Sequence, residues 1–221
     1  MTGQVIIVSG TSGAGKSTTC AAFAKRSPEP YLMFGMDLLV GTLFPPQYTI
    51  FGAKRAEGYG GNTFGAAMGW PAVRAMHAMI AAAARTGQNM IVDHLMFVDP
   101  PILQDCIWAL RDVPVLFVNL QPPKEVLARR VTEREVVLPA PMIEAAGGMD
   151  GVVRLGAELA ALVPWFYDHA YQNDCYDLSI DSSKLTPDAV CALIEKRLHA
   201  GPPTAFENLR KRYPAPDAVG S

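Results

Sequence analysis

The stretch 10-GTSGAGKST-18 constrains this chain more than any other. It fits G-x-x-x-x-G-K-[ST], with Gly10, Gly15, Lys16 and Ser17 at the required positions. Gln4–Ser9 (QVIIVS), just before it, is a β-branched run typical of a buried strand, and Thr18–Lys25 after it reads as a helix. A strand before and a helix after are the context this pattern needs. Glycines let successive backbone N–H groups turn inward as an anion nest, and the helix N-terminus adds the positive end of its dipole. In such a cradle a lysine reaches the β- and γ-phosphates of a nucleoside triphosphate and a serine hydroxyl ligates Mg²⁺. The expected nucleotide ligands are therefore Gly10, Ser12, Gly13, Ala14, Gly15, Lys16, Ser17 and Thr18, with ATP and Mg²⁺ as cofactors. The competing reading, a glycine-rich turn with an incidental lysine, is disfavoured by the flanking strand and helix.

The rest of the chain alternates in the same way. A second buried strand is expected at Tyr31–Met36, and further strands at Asn89–Val92, Val115–Leu120 and Asp177–Ile180. Helices are expected at Leu38–Leu43, Val73–Arg85 (ended by Gly87), Ile102–Leu110, Lys124–Glu133 (opened by Pro123) and Pro187–Leu198. Such alternation implies βαβ units and a mostly parallel sheet covered on both faces. Two irregular regions, 44–64 and 136–171, exceed ordinary loop lengths and suit lids or binding loops. No second domain is evident. One domain over 1–200, with a helical lid insertion at about 134–171 and a loosely packed tail at 201–221, is the expected organisation.

Three further groups carry charge near this framework. NMIVDH (89–94) ends at Asp93, and an aspartate at a strand end beside a phosphate loop holds Mg²⁺. The alternative is a helix cap at Asp93 or Asp99. His94 follows, as a candidate substrate contact or proton partner; the other histidines, His77, His169 and His199, have no metal-ligand spacing. The segment LARRVTERE (127–135) brings Arg129, Arg130 and Arg134 onto a helix. Glu125 and Arg129 have the spacing of a surface ion pair. Arg130 and Arg134 would repel unless an anion lay between them, which points to neutralising phosphoryl charge.

The run PYLMFGMDLLVG (30–41) breaks at a single carboxylate, Asp37. It lies at the end of the second strand, on the sheet edge that carries the phosphate loop and Asp93. Ligands of open parallel sheets sit beyond that edge. Asp37 could cap the helix that follows, or orient a hydroxyl and take its proton. The ordered set VSGTSGAGKST, PEPYLMFGMDLLV, NMIVDHLMF and YDLSIDSS resembles the chloramphenicol 3-O-phosphotransferase family, from Val5 to about Leu198. That resemblance implies a nucleoside-kinase-like five-stranded parallel sheet of order 2-3-1-4-5, transfer of phosphate from ATP to a hydroxyl of an antibiotic, and Asp37 as the base. His94 stands where the family has a second acid, and the stretch 136–165 and the region after Ala200 are longer, so reaction type carries over further than substrate. Phe34, Met36, Phe51, Tyr59, Trp70, Leu95, Met96, Trp165 and Phe166 would suit a largely apolar acceptor; Phe34, Met36, Trp70 and His94 are the nearest candidates.

Bulk properties exclude other classes. A net charge of −2 leaves no footprint for nucleic acid. No apolar run reaches membrane-spanning length. The four cysteines lack CxxC spacing and read as reduced thiols, so a cytoplasmic location is expected, and self-association is left open. Two rival readings stand beside an antibiotic phosphotransferase with a role in resistance. One is a nucleoside or sugar kinase on the same fold; the other is a regulatory ATPase whose output is a protein contact.

Overall fold

The computed structural model describes residues 2–39, 43, 69–133 and 140–215. Five parallel strands form one sheet: β1 (Val5–Ser9), β2 (Tyr31–Gly35), β3 (Asn89–His94), β4 (Val115–Leu120) and β5 (Leu178–Ile180). Their order is β2-β3-β1-β4-β5, the order implied by the family resemblance. The central strands β1 and β4 are buried at every residue, which is why they read as continuous apolar runs.

Side chains alternate between the two faces of the sheet. Val5, Ile7, Met90, Val92, Val115 and Phe117 face α3 (Gly69–Arg85) and α4 (Ile102–Ala109). Ile6, Val8, Ile91, Leu116 and Val118 face α1 (Lys16–Arg26) and α9 (Pro187–His199). Crossovers on both faces leave the carboxyl ends of β1, β2 and β3 on one edge. The register fixes that edge, with Ser9 paired to His94 and Gly35 to Asp93.

Several expectations are corrected. β2 is an edge strand and only partly buried, with Leu32 and Met33 among the exposed apolar residues; its apolar composition imitates that of a central strand. The 136–171 region, by contrast, is helical as expected of the insertion: its described residues form α6 (Ala140–Ala145), α7 (Met149–Ala161) and α8 (Val163–Ala170). The glycine pair between α6 and α7 has positive φ at both residues, which ends one helix and lets the next begin. Region 44–64, with Phe51 and Tyr59, lies outside the described residues. Glu125 and Arg129, both on α5 (Lys124–Thr132), form no ion pair among the described residues.

The expected loose tail is the largest departure. Residues 205–212 form α10 (Ala205–Arg212), which buries Ala205, Phe206 and Leu209. The Phe206 ring lies 5.3 Å from Phe117, edge to face. Two bonds tie α10 to α4: Arg210 donates to Ile107 O (3.3 Å), and Trp108 Nε1 donates to Tyr213 O (3.0 Å). At its N-terminus the Asp177 carboxylate accepts from the amides of Thr204 (2.7 Å) and Ala205 (3.1 Å). A carboxylate there also complements the helix dipole.

Candidate active site

The phosphate loop wraps the start of α1 as the motif requires. Gly13 has φ +81, and an added Cβ would lie 3.1 Å from Val131 Cγ2 on α5, so both backbone and space demand glycine. Lys16 Nζ donates to Thr11 O (3.1 Å) and lies 3.6 Å from Asp93 Oδ1. The Ser17 hydroxyl donates directly to Asp93 Oδ2. Asp93 is 6% exposed and sits at the penultimate residue of β3. The helix after it, α4, takes Pro101 as N-cap, so neither Asp93 nor Asp99 caps it. Ser17 and Asp93 are a pair of hard oxygen donors meeting at the cradle, which fits Mg²⁺, a cation that takes few protein ligands and fills its octahedron with phosphate oxygens and water. Among the described residues no group of three or more His, Cys, Asp or Glu side chains could hold a metal ion alone.

A cavity of about 430 Å³ opens on the loop between Ser12–Thr19, Arg130 and residues Ser182, Leu185, Pro187 and Val190. The last four follow β5 or begin α9, so the cavity lies on the β5 side of the loop. Asp93 and the end of β2 lie on the opposite side, given the strand order. Arg130 donates to Gly13 O (3.3 Å) and Ser182 O (3.1 Å), and the Ser182 hydroxyl donates to Ala14 O (2.7 Å). The structure thus places Arg130 on the cavity side, joining loop, α5 and the β5–α9 connection. Arg134 lies outside the described residues.

Asp37 is the second residue of α2 (Met36–Leu38), whose N-cap is Gly35. The cap reading of Asp37 is therefore replaced, because the helix starts two residues earlier than expected. Its side chain is outside the described set, and so is that of Trp70, the second residue of α3. Gly35 permits a close approach here: an added Cβ would lie 3.0 Å from Asp93 Cβ. The acceptor candidates divide. Phe34 is half-buried against the core, and Met36 is a core residue at 5% exposure. Met96 and Phe97 are fully buried. Trp165 is exposed on α8, with its ring 5.6 Å from Phe97 and stacked on His169 at 4.0 Å.

His94 is a further correction. It is fully buried on the face opposite Asp93 and meets no open surface, because adjacent strand residues point to opposite sides. Its Nε2 lies 2.9 Å from Nε2 of His77, and His77 Nδ1 lies 2.5 Å from Asp105 Oδ2. Burial pushes the His94 imidazole well below its ordinary pKa, and His77 adds to the shift. The sequence reading missed this cluster because His77 and His94 share no local spacing; only the packing of α3 on β3 brings them together.

Tyr171 was missed as well. At the end of α8 its hydroxyl donates to Leu120 O (2.8 Å) and accepts from the Thr11 amide (3.2 Å), tying the insertion to the phosphate loop. Burial raises its pKa, so it stays a hydroxyl. The cysteines Cys20, Cys106, Cys175 and Cys191 are all free. No helix among the described residues is long and apolar enough to cross a membrane.

A family model described as chloramphenicol phosphotransferase-like protein matches residues 3–199. Among solved structures, the Mycobacterium tuberculosis APS kinase in complex with AMPPNP and APS superposes with a TM-score of 0.61 at 14% identity, covering 90% of this chain and 99% of that one. A gluconokinase from Sinorhizobium meliloti 1021 gives 0.55 at 16% identity, over 95% and 97%. The Deinococcus radiodurans tunicamycin resistance protein gives 0.53 at 16%, over 91% and 98%. At such identities the likeness shows a shared fold. No curated protein matches the chain. With the phosphate loop, the sheet order and a family match over most of its length, this chain belongs to the chloramphenicol phosphotransferase-like family and is a small-molecule kinase.

Proposed function

We propose that this kinase transfers the γ-phosphate of ATP to a hydroxyl of a small, largely apolar molecule, of the antibiotic class named by its family. The observation that carries the reading is the placement of Lys16, Ser17 and Asp93 together at the sheet edge, with Gly35 of the FGMD run paired to Asp93. The cavity opens on the β5 side of the loop, which leaves the β2–β3 side, where Asp93 and the end of β2 lie, for an acceptor.

In this reading the loop amides and Lys16 hold the β- and γ-phosphates. Ser17 and Asp93 would hold Mg²⁺, which when bound neutralises charge developing on the phosphate oxygens. Arg130 secures the loop and the nucleotide side of the cradle, with Arg134 as a second cation. Asp37 accepts the hydroxyl proton as the acceptor oxygen bonds to γ-phosphorus and the bond to the β–γ bridging oxygen breaks, releasing ADP. The insertion helices α7 and α8 pack on α5, and Tyr171 at the end of α8 holds the Thr11 amide of the phosphate loop.

The test is Asp37→Ala with ATP, Mg²⁺ and a panel of hydroxylated antibiotics, nucleosides and sugars, read by mass spectrometry for gain of one phosphoryl group. Turnover should fall about 10²–10⁴-fold with nucleotide binding retained, the usual contribution of a general base. Wild-type turnover in the variant removes Asp37 from the mechanism. A product only with nucleosides or sugars replaces the antibiotic class. ATP turnover that responds to no small acceptor but to a protein would make the chain a regulatory ATPase.

A further inference from the structure

On the sheet face opposite the cradle, a hydrogen-bonded line runs from the surface to the end of β3. Asp105 on α4 is its outer end, with 20% of its side chain exposed and Arg74 Nε 3.7 Å from Oδ1. Asp105 Oδ2 faces His77 Nδ1, His77 Nε2 faces His94 Nε2, and His94 Nδ1 faces Leu95 O at 3.0 Å. Both histidines are fully buried.

Hydrogen-bond chemistry orients the line. The Leu95 carbonyl only accepts, so His94 carries its proton on Nδ1. A neutral His94 then presents a lone pair at Nε2, which requires His77 to donate from Nε2. His77 Nδ1 is left facing Asp105, and a proton must lie between them, because an ionised carboxylate only accepts. Three gaps therefore hold three protons, one more than two neutral imidazoles supply, and the Asp105 carboxylate balances it. His94 is paired with Ser9 in the β1–β3 register and directly follows Asp93. The line thus ends on the turn of backbone that carries the carboxylate beside Ser17.

We propose that Asp105 and His77 are positioning residues of the phosphotransfer site: they fix the tautomer and ring orientation of His94, and through residues 93–95 the place of the Asp93 carboxylate. This rests on the reading of Asp93 as a Mg²⁺ ligand. Partners bonded directly to a metal ligand typically contribute about 10–100-fold in metal affinity or activity; His77 acts one residue further off, through the β3 backbone, so an effect at the low end of that range is expected.

His77→Phe removes the donor to His94 while keeping an aromatic ring. It should raise the half-saturating Mg²⁺ concentration or lower kcat about tenfold, with KM for ATP nearly unchanged. Where His77→Phe does not fold, Asp105→Ala, altered at a partly exposed position, carries the same expectation. Asp105→Asn should recover more than half of wild-type kcat, because its amide can donate to His77 Nδ1. Nitrogen-15 NMR of the wild-type imidazoles should show His94 protonated at Nδ1 alone and His77 at both nitrogens. A His94 protonated at Nε2, an Asp105→Asn variant as impaired as Asp105→Ala, or a folded His77→Phe with wild-type Mg²⁺ requirement and kcat each overturns the proposal. Asp93→Asn run in parallel separates the two ideas. If it loses activity while His77→Phe does not, only the positioning role falls. If its Mg²⁺ requirement is unchanged, the metal reading falls and the positioning role with it.

Discussion

Tyr171→Phe isolates a single oxygen. The ring stays, with its edge-to-face contact to Tyr167 (4.9 Å) and its place against both sides of the core. What goes is the hydroxyl that donates to Leu120 O and accepts from the Thr11 amide. The lost bond to Leu120 is worth about 1 kcal/mol net, and a buried amide left without its acceptor costs about 1–3 kcal/mol. Part of the latter is recovered if the phosphate loop shifts to let water reach Thr11, so a total near 2–3 kcal/mol is expected. In a domain of this size that lowers the melting temperature by about 4–12 °C. Equilibrium urea unfolding without nucleotide is the direct assay, and its midpoint should fall with the slope unchanged. Nucleotide affinity, measured by calorimetry on the folded variant, should weaken in the same direction, because the bond pre-orders the loop. An unfolding free energy within about 0.5 kcal/mol of wild type, the range of ordinary surface substitutions, would refute the view that Tyr171 braces the loop.

Other consequences follow the same geometry. Lys16→Ala should abolish phosphoryl transfer while the circular dichroism spectrum stays unchanged; a variant with appreciable turnover would remove Lys16 from the site. Arg130→Ala loses two bonds from a cation to carbonyls, each worth about 1.5–3 kcal/mol before water compensates, and should raise KM for ATP at least about tenfold in steady-state assays. Gly35→Ala would place a methyl 3.0 Å from Asp93 Cβ at a φ of −175 that any residue adopts, so it should reduce kcat more than it reduces the melting temperature. Phe206→Ala should cost about 3–5 kcal/mol in urea unfolding, the usual range for a buried phenylalanine, where a loosely packed tail would cost almost nothing.

The nucleotide half of the site was legible in the sequence because its chemistry is written in consecutive residues. Gly10 to Thr18 form the cradle through their own backbone, and the strand before and helix after are set by the same short stretch. Asp93 was readable for a related reason: the end of a β-branched run in a parallel sheet has a known edge. The losses came where distant segments meet. His94 looked like a partner of its neighbour Asp93, yet strand alternation turns it through the sheet to His77, and no local pattern records that partner. Tyr171 lies 160 residues from Thr11, and nothing local to the insertion records that its hydroxyl reaches the phosphate loop. Leu32 and Met33 are apolar enough for a central strand, and only the sheet order reveals them on an edge. At α10 the proline-rich approach concealed Ala205, Phe206 and Leu209, whose spacing puts all three on one helical face.

That last helix also sets an order of events during synthesis. Phe117 belongs to β4, made long before Phe206, which covers it. At roughly 5–20 residues per second, the part of the sheet beneath α10 waits several seconds with an apolar face uncovered after β4 has emerged. The nascent kinase therefore carries an uncovered apolar face until α10 is made, and helpers that shield apolar surface would matter most in that interval.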